Sequence, residues 1–150
     1  MLVYFDANCF NRSFDDQSQE RVHRESEAVL GILQRIVSGE DDLAWSLALT
    51  LELSAHPEPE IRAQLTAWAD RSRVAVRTLA PVRERVNKLV AEGLKALDAA
   101  HLAFAESAAC DVLLTCDDRF LRRAQNLDLS LRVLNPVEYY EETIDDGPDD

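Results

Sequence analysis

Two short apolar runs that end abruptly in acid constrain this chain more than any other feature in it. The first is Leu2-Val3-Tyr4-Phe5, closed by Asp6 and followed by Ala7-Asn8. The second is Val112-Leu113-Leu114-Thr115, followed after Cys116 by Asp117-Asp118. Each has the length and the branched or aromatic content of a strand buried on both faces. A buried strand offers no solvent to an ionised side chain, so each acid marks the place where its strand leaves the core. In open α/β sheets that place, the carboxyl end of a strand, is where ligands bind.

The remainder of the chain reads as scaffold for these two ends. Asn8 to Ser18 is polar and predicts a loop. A helix is expected from Ser18 or Gln19 to Ser38, with Val22, Val29, Ile32, Leu33 and Ile36 as its apolar stripe and Gly39 as its C-terminal cap. Arg21, Arg24 and Glu25 lie off that stripe and read as a solvated face. Leu43 to Ser46 predicts a second strand. A short helix carrying Leu49, Leu51, Leu53 and Glu52 ends near His56, because Pro57 disfavours helix in the residue before it. Further helices are expected over residues 60–71, 81–94 and 96–105 and from Asp118, with strands over 74–76, 112–115 and 131–134. The last strand is expected to stop at Asn135-Pro136. Strands that alternate with helices predict right-handed crossovers, hence a parallel sheet covered on both faces. If strand one is central and the chain returns beside it with strand four, Asp6 and Asp117 become neighbours.

Composition limits what such a fold can do. The chain has 150 residues, 47% hydrophobic and 29% charged, which suits one domain over residues 1–140. No apolar run reaches membrane-spanning length, and no basic leader precedes the first strand, so a cytoplasmic protein with no membrane partner is expected. Cys9, Cys110 and Cys116 show no metal or redox spacing and read as buried small hydrophobes. The formal net charge of -12 opposes simple electrostatic capture of nucleic acid. Half of that excess lies in residues 141–150, which hold Glu141, Glu142, Asp145, Asp146, Asp149 and Asp150 and no Lys or Arg. That segment is expected to be a disordered, solubilising tail.

Four acids occupy positions unusual for surface charge. Asp6 and Asp117 end strands, Glu52 interrupts a leucine-rich helix, and Asp98 opens an alanine-rich one. Singly, each has an ordinary reading as a helix cap or an exposed face. Together they suggest a cation site. Two carboxylates about 4 Å apart repel by about 4 kcal/mol at an effective dielectric near 20, and a hard cation relieves that repulsion. An all-oxygen ligand set suits Mg2+ or Mn2+, and no His/Cys set here has zinc spacing.

The motifs that carry these acids are Val3-Tyr4-Phe5-Asp6-Ala7-Asn8, Leu51-Glu52-Leu53, Leu97-Asp98-Ala99-Ala100-His101-Leu102-Ala103 and Leu114-Thr115-Cys116-Asp117-Asp118-Arg119-Phe120. In that order and at those separations the chain resembles the PIN-domain family of ribonucleases, which includes many bacterial toxins of toxin–antitoxin pairs. The resemblance covers nearly all of residues 2–140. It implies a three-layer α/β/α sandwich with a parallel five-stranded sheet in the order 3-2-1-4-5. It also implies a Mg2+ or Mn2+ site at Asp6, Glu52, Asp98 and Asp117, the catalytic carboxylates, with Asp118 as an extra ligand. Asn8 and Thr115 would support that site by hydrogen bonds; Arg12 and Arg119, from their nearness to the acids in sequence, would grip flanking phosphates of an RNA substrate. A protein antitoxin and a second copy of the chain are the partners implied. The longer loop from Asn11 to Gln17 and the acidic tail depart from the toxin pattern.

Two other functions fit parts of the same pattern. An aspartyl phosphatase of the haloacid-dehalogenase type would use Asp6 as nucleophile and Asp117-Asp118 for Mg2+, but Asn8 stands where its general acid should be. A catalytically weak domain that binds a protein or an RNA would account for the high acidity without any chemistry.

Overall fold

The computed structural model describes residues 1–145. Its strands are β1 (Leu2–Phe5), β2 (Asp42–Ser46), β3 (Val74–Val76), β4 (Val112–Leu114) and β5 (Arg132–Leu134). All pair in parallel, in the order β3-β2-β1-β4-β5. The helices are α1 (Ala7–Asn11), α2 (Glu20–Val37), α3 (Leu47–Ser54), α4 (Pro59–Thr66), α5 (Arg83–Ala91), α6 (Ala96–Ser107), α7 (Asp118–Ala124) and α8 (Pro136–Asp145). They cover the sheet as the outer layers of an α/β/α sandwich, and among the described residues none is long and apolar enough to cross a membrane.

β1 is central and fully covered, with Val3, Tyr4 and Phe5 wholly buried. Side chains alternate across a strand. Tyr4 therefore points to one face, where His101 of α6 meets its ring edge-on at 5.6 Å between centroids. Phe5 points to the other, edge-on to Phe10 of α1 at 5.1 Å, and Phe10 in turn meets Trp45 of β2 at 5.6 Å. Register sets Phe5 opposite Leu114, and the Asp6 amide continues the ladder by donating to the Leu114 carbonyl at 2.8 Å. The ends of β1 and β4 are thereby locked side by side.

Three local expectations are corrected. The stretch after Asp6 is not a plain loop: it forms α1 and a 3-10 turn, Arg12–Phe14, because Phe10 and Cys9 have a core to bury into. The last strand does stop at Asn135-Pro136, and the same two residues start α8. The Asn135 side-chain oxygen accepts from the Val137 amide at 2.8 Å, and proline suits a first helical turn. Glu141 to Asp145, assigned from sequence to a tail, are the end of this helix; residues 146–150 lie outside the described residues. α8 packs on α2 where Gly31 leaves room: a Cβ there would stand 2.5 Å from the Tyr140 ring.

Glu25 is the third correction. It is 1% exposed, not solvated. Arg12 Nε donates to it at 3.1 Å, Asn135 Nδ2 at 2.6 Å, and Arg21 Nε lies 3.5 Å away. One buried carboxylate thus joins the 3-10 turn, α2 and the start of α8. Removing one partner of a buried ion pair strands the others. Glu25→Ala is expected to lose about 3 kcal/mol of stability, read as a lower urea midpoint at unchanged slope.

Candidate metal centre

Each acid is delivered by a different element. Asp6 leaves β1 with extended backbone and sits before α1 without capping it. Its Oδ2 accepts from Thr115 Oγ1 at 2.8 Å and from Asn8 Nδ2 at 3.0 Å, and Asn8 Nδ2 also reaches Thr115 Oγ1 at 3.2 Å. Asn8 Oδ1 accepts from the Cys116 amide at 3.1 Å, which ties α1 to the turn after β4. Asn8 and Thr115 thus hold one Asp6 oxygen still and leave Oδ1 turned toward His101 Nε2, 3.6 Å away.

Asp117 caps α7. Its Oδ1 accepts from the Arg119 amide at 2.9 Å and the Phe120 amide at 3.4 Å, and Oδ2 takes no hydrogen bond from the described residues. Asp98 stands in the first turn of α6, half-buried, and its carboxylate receives no hydrogen bond from the described residues. Glu52, on α3, is brought against Asp6 by His101: ligand atoms of Asp6, Glu52 and His101 all lie within 4.8 Å of one another.

Two of the acids feel the charge of their neighbours. Burial pushes the Asp98 carboxyl up, and the negative charges of Asp6 and Asp117 push it further, to about 6. Burial also raises Asp6, with Glu52 adding to the rise and His101 and the Thr115 hydrogen bond opposing it. Asp6, Glu52 and His101 thus lie together at the carboxyl end of β1, and Asp98 is near enough to feel the charges of Asp6 and Asp117. Carboxylate oxygens without hydrogen-bond donors, held close against their mutual repulsion, fit a hard divalent cation.

Other predicted site residues go elsewhere. Asp118 faces α2, where both its oxygens take the Arg21 guanidinium at 2.8 Å; it is not part of the acidic pocket. Arg12 is not free to grip a phosphate, because its Nε serves Glu25 and its Nη1 donates to Asp15 at 2.8 Å. Arg119 is exposed beside Asp117 and makes no ion pair among the described residues. The cysteines are buried and free, as expected.

His101 was missed as a functional candidate. It is wholly buried, its Nε2 hydrogen-bonds to Glu52 Oε1, and its Nδ1 lies 2.6 Å from the Tyr4 hydroxyl. The signal was its position three residues after Asp98, on the same face of α6.

A family model described as PIN domain matches residues 3–126. No curated protein matches the chain. Among solved structures, the crystal structure of FitAcB from Neisseria gonorrhoeae superposes with a TM-score of 0.51 at 17% identity, covering 89% of this chain and 97% of the other. At that identity the likeness speaks for the fold.

A raised carboxyl pKa has a definite sign in stability. Unfolded, Asp98 titrates near its ordinary 3.8; folded, near 6. Between those values the folded chain binds more protons, so stability falls as pH rises through the window and levels off above it. Asp98→Asn removes the penalty. In EDTA the variant is expected to match the wild type below about pH 4 and to exceed it above about pH 6, by on the order of 1 kcal/mol once solvent screening of a half-buried group is allowed for. Thermal midpoints across that range check it.

Proposed function

Since this chain belongs to the PIN-domain family, we propose that it is a Mg2+- or Mn2+-dependent ribonuclease whose metal ligands are Asp6, Glu52, Asp98 and Asp117. The observation that carries this reading is the cluster of Asp6, Glu52 and His101, whose ligand atoms lie within 4.8 Å of one another, with Asp98 close enough to feel the charges of Asp6 and Asp117. A divalent ion held there would lower the pKa of water and offset charge on the phosphate oxygens of a phosphodiester.

The chain's own residues would do the rest. Thr115 and Asn8 fix the Asp6 carboxylate, so that Oδ1 is presented without reorganisation. The Asp117 oxygen that caps α7 anchors the other toward the pocket. Arg119, exposed at the next turn, would hold a phosphate flanking the scissile one. The substrate proposed is single-stranded or structured RNA, and the setting the cytoplasm. The toxin members of the family extend the proposal to a protein antitoxin and to a second copy of the chain as partners. The phosphatase alternative gains nothing from the geometry: Asp118, one of its Mg2+ ligands, is bound by Arg21.

The test is cleavage of a labelled single-stranded RNA with Mn2+, with EDTA as control. The wild type is expected to cut only with metal. Asp6→Asn is expected to lose about 100-fold or more in rate while melting as a folded protein. Cleavage that persists unchanged in Asp6→Asn would defeat the site assignment.

A further inference from the structure

A line of buried polar groups runs from the Glu52 carboxylate into the core. Ser46 Oγ and the Tyr4 hydroxyl lie 2.6 Å apart, and the Tyr4 hydroxyl lies 2.6 Å from His101 Nδ1. His101 Nε2 completes the line at Glu52 Oε1. Ser46, Tyr4 and His101 are each no more than 1% exposed, so no water joins the line from its inner end.

The direction of these hydrogen bonds is fixed by elimination. An ionised carboxylate only accepts, so Nε2 must carry the proton it shares with Glu52. In the neutral ring Nδ1 then has only a lone pair, and the Tyr4 hydroxyl must donate to it. The Tyr4 oxygen accepts in turn from the Ser46 hydroxyl. In the charged ring Nδ1 donates to the Tyr4 oxygen and Tyr4 donates to Ser46. Either way Nε2 keeps its proton toward Glu52, so the arrangement does not depend on the charge of the ring. Ser46 is itself anchored as the cap of α3, accepting from the Leu49 amide at 3.3 Å.

We infer that His101 is a positioning residue: its Nε2–H holds the Glu52 carboxylate against Asp6, and Tyr4 and Ser46 fix the ring that does so. Glu52 needs such a hold more than the other acids. Asp6 has Thr115 and Asn8, and Asp117 has two backbone amides, whereas Glu52 has a longer side chain on a short helix and receives no other hydrogen bond among the described residues. His101 therefore does for Glu52 what the Asn8–Thr115 pair does for Asp6. It is not a metal ligand in this arrangement, because the nitrogen that faces the pocket has no free lone pair. The inference rests on reading the four acids as a cation site.

The experiment has a part that needs neither metal nor activity. Long-range 15N–1H correlation spectra of the metal-free protein are expected to show His101 protonated at Nε2; an unprotonated Nε2 would overturn the inference. Mn2+ titration by calorimetry is the second part. His101→Ala is expected to weaken Mn2+ binding about 10- to 100-fold, the usual cost of losing a group that orients a ligand. His101→Gln, whose amide reaches the same place, is expected to regain most of it. With RNA, the His101→Ala loss should fall on kcat and leave KM near the wild-type value. Equal Mn2+ affinity in wild type and His101→Ala overturns the inference alone. A nitrogen bound directly to Mn2+ in electron spin-echo spectra does the same. Wild type that binds no Mn2+ overturns the nuclease reading, and this inference with it.

Discussion

The structure is organised around a repulsion that it does not relieve by itself. Pairing β1 with β4 in register sets Phe5 beside Leu114 and so delivers Asp6 and Asp117 to one end of the sheet. α6 and α3 add Asp98 and Glu52. Burial, and after it the negative charges of Asp6 and Asp117, push the Asp98 carboxyl to about 6. A fold under thermodynamic pressure alone would scatter these groups. Holding them together costs stability that the buried sheet must offset, the usual mark of a site selected for chemistry over packing.

Two polar scaffolds, one on each face of the sheet, resist that repulsion. On the α6 face, Ser46, Tyr4 and His101 brace Glu52 from within the core. On the α2 face, Glu25 gathers Arg12, Arg21 and Asn135. Arg21 then reaches the turn that carries Asp117: it donates to the Cys116 carbonyl at 3.0 Å and to both oxygens of Asp118. The elements that hold the acids are therefore gripped from both sides by side chains other than the acids themselves. Buried polar groups of this kind are tolerable only when fully paired, and in both scaffolds they are.

What could be read from sequence follows from how local each feature is. A strand that ends in acid is visible in six residues, and the α2 stripe is visible in its period; both describe one element and its own burial. The convergence of Asp6 with Asp117 needed only one topological step, the return of strand four to the side of strand one. Glu25 was illegible because its burial depends on Arg12 and Asn135, neither of which lies on its own helix. α8 was lost for the opposite reason: Asn135-Pro136 ends a strand and caps a helix with the same two residues. Arg12 and Asp118 were misplaced because nearness to an acid along the chain does not set the direction of a side chain. His101 stood inside a motif already noticed, but its role appears only when the alternation of β1 turns Tyr4 toward α6.

The charge balance of the whole chain, -12, is a poor guide to the surface near the pocket. Arg119, Arg122 and Arg123 all lie on α7, all exposed, and none is spent in an ion pair among the described residues. Their helix starts right after Asp117, so three guanidinium groups outside any ion pair among the described residues sit on the element that this acid caps. Elsewhere the arginines of the chain are largely neutralised: Arg35 by Asp41, Arg85 by Glu106, Arg132 by Glu142. Screening confines exposed charges to about 8–10 Å at physiological salt, so the local arrangement outweighs the total. The same short range lets acids and a basic helix stand close together, as the proposed cation site and the phosphates flanking it would require.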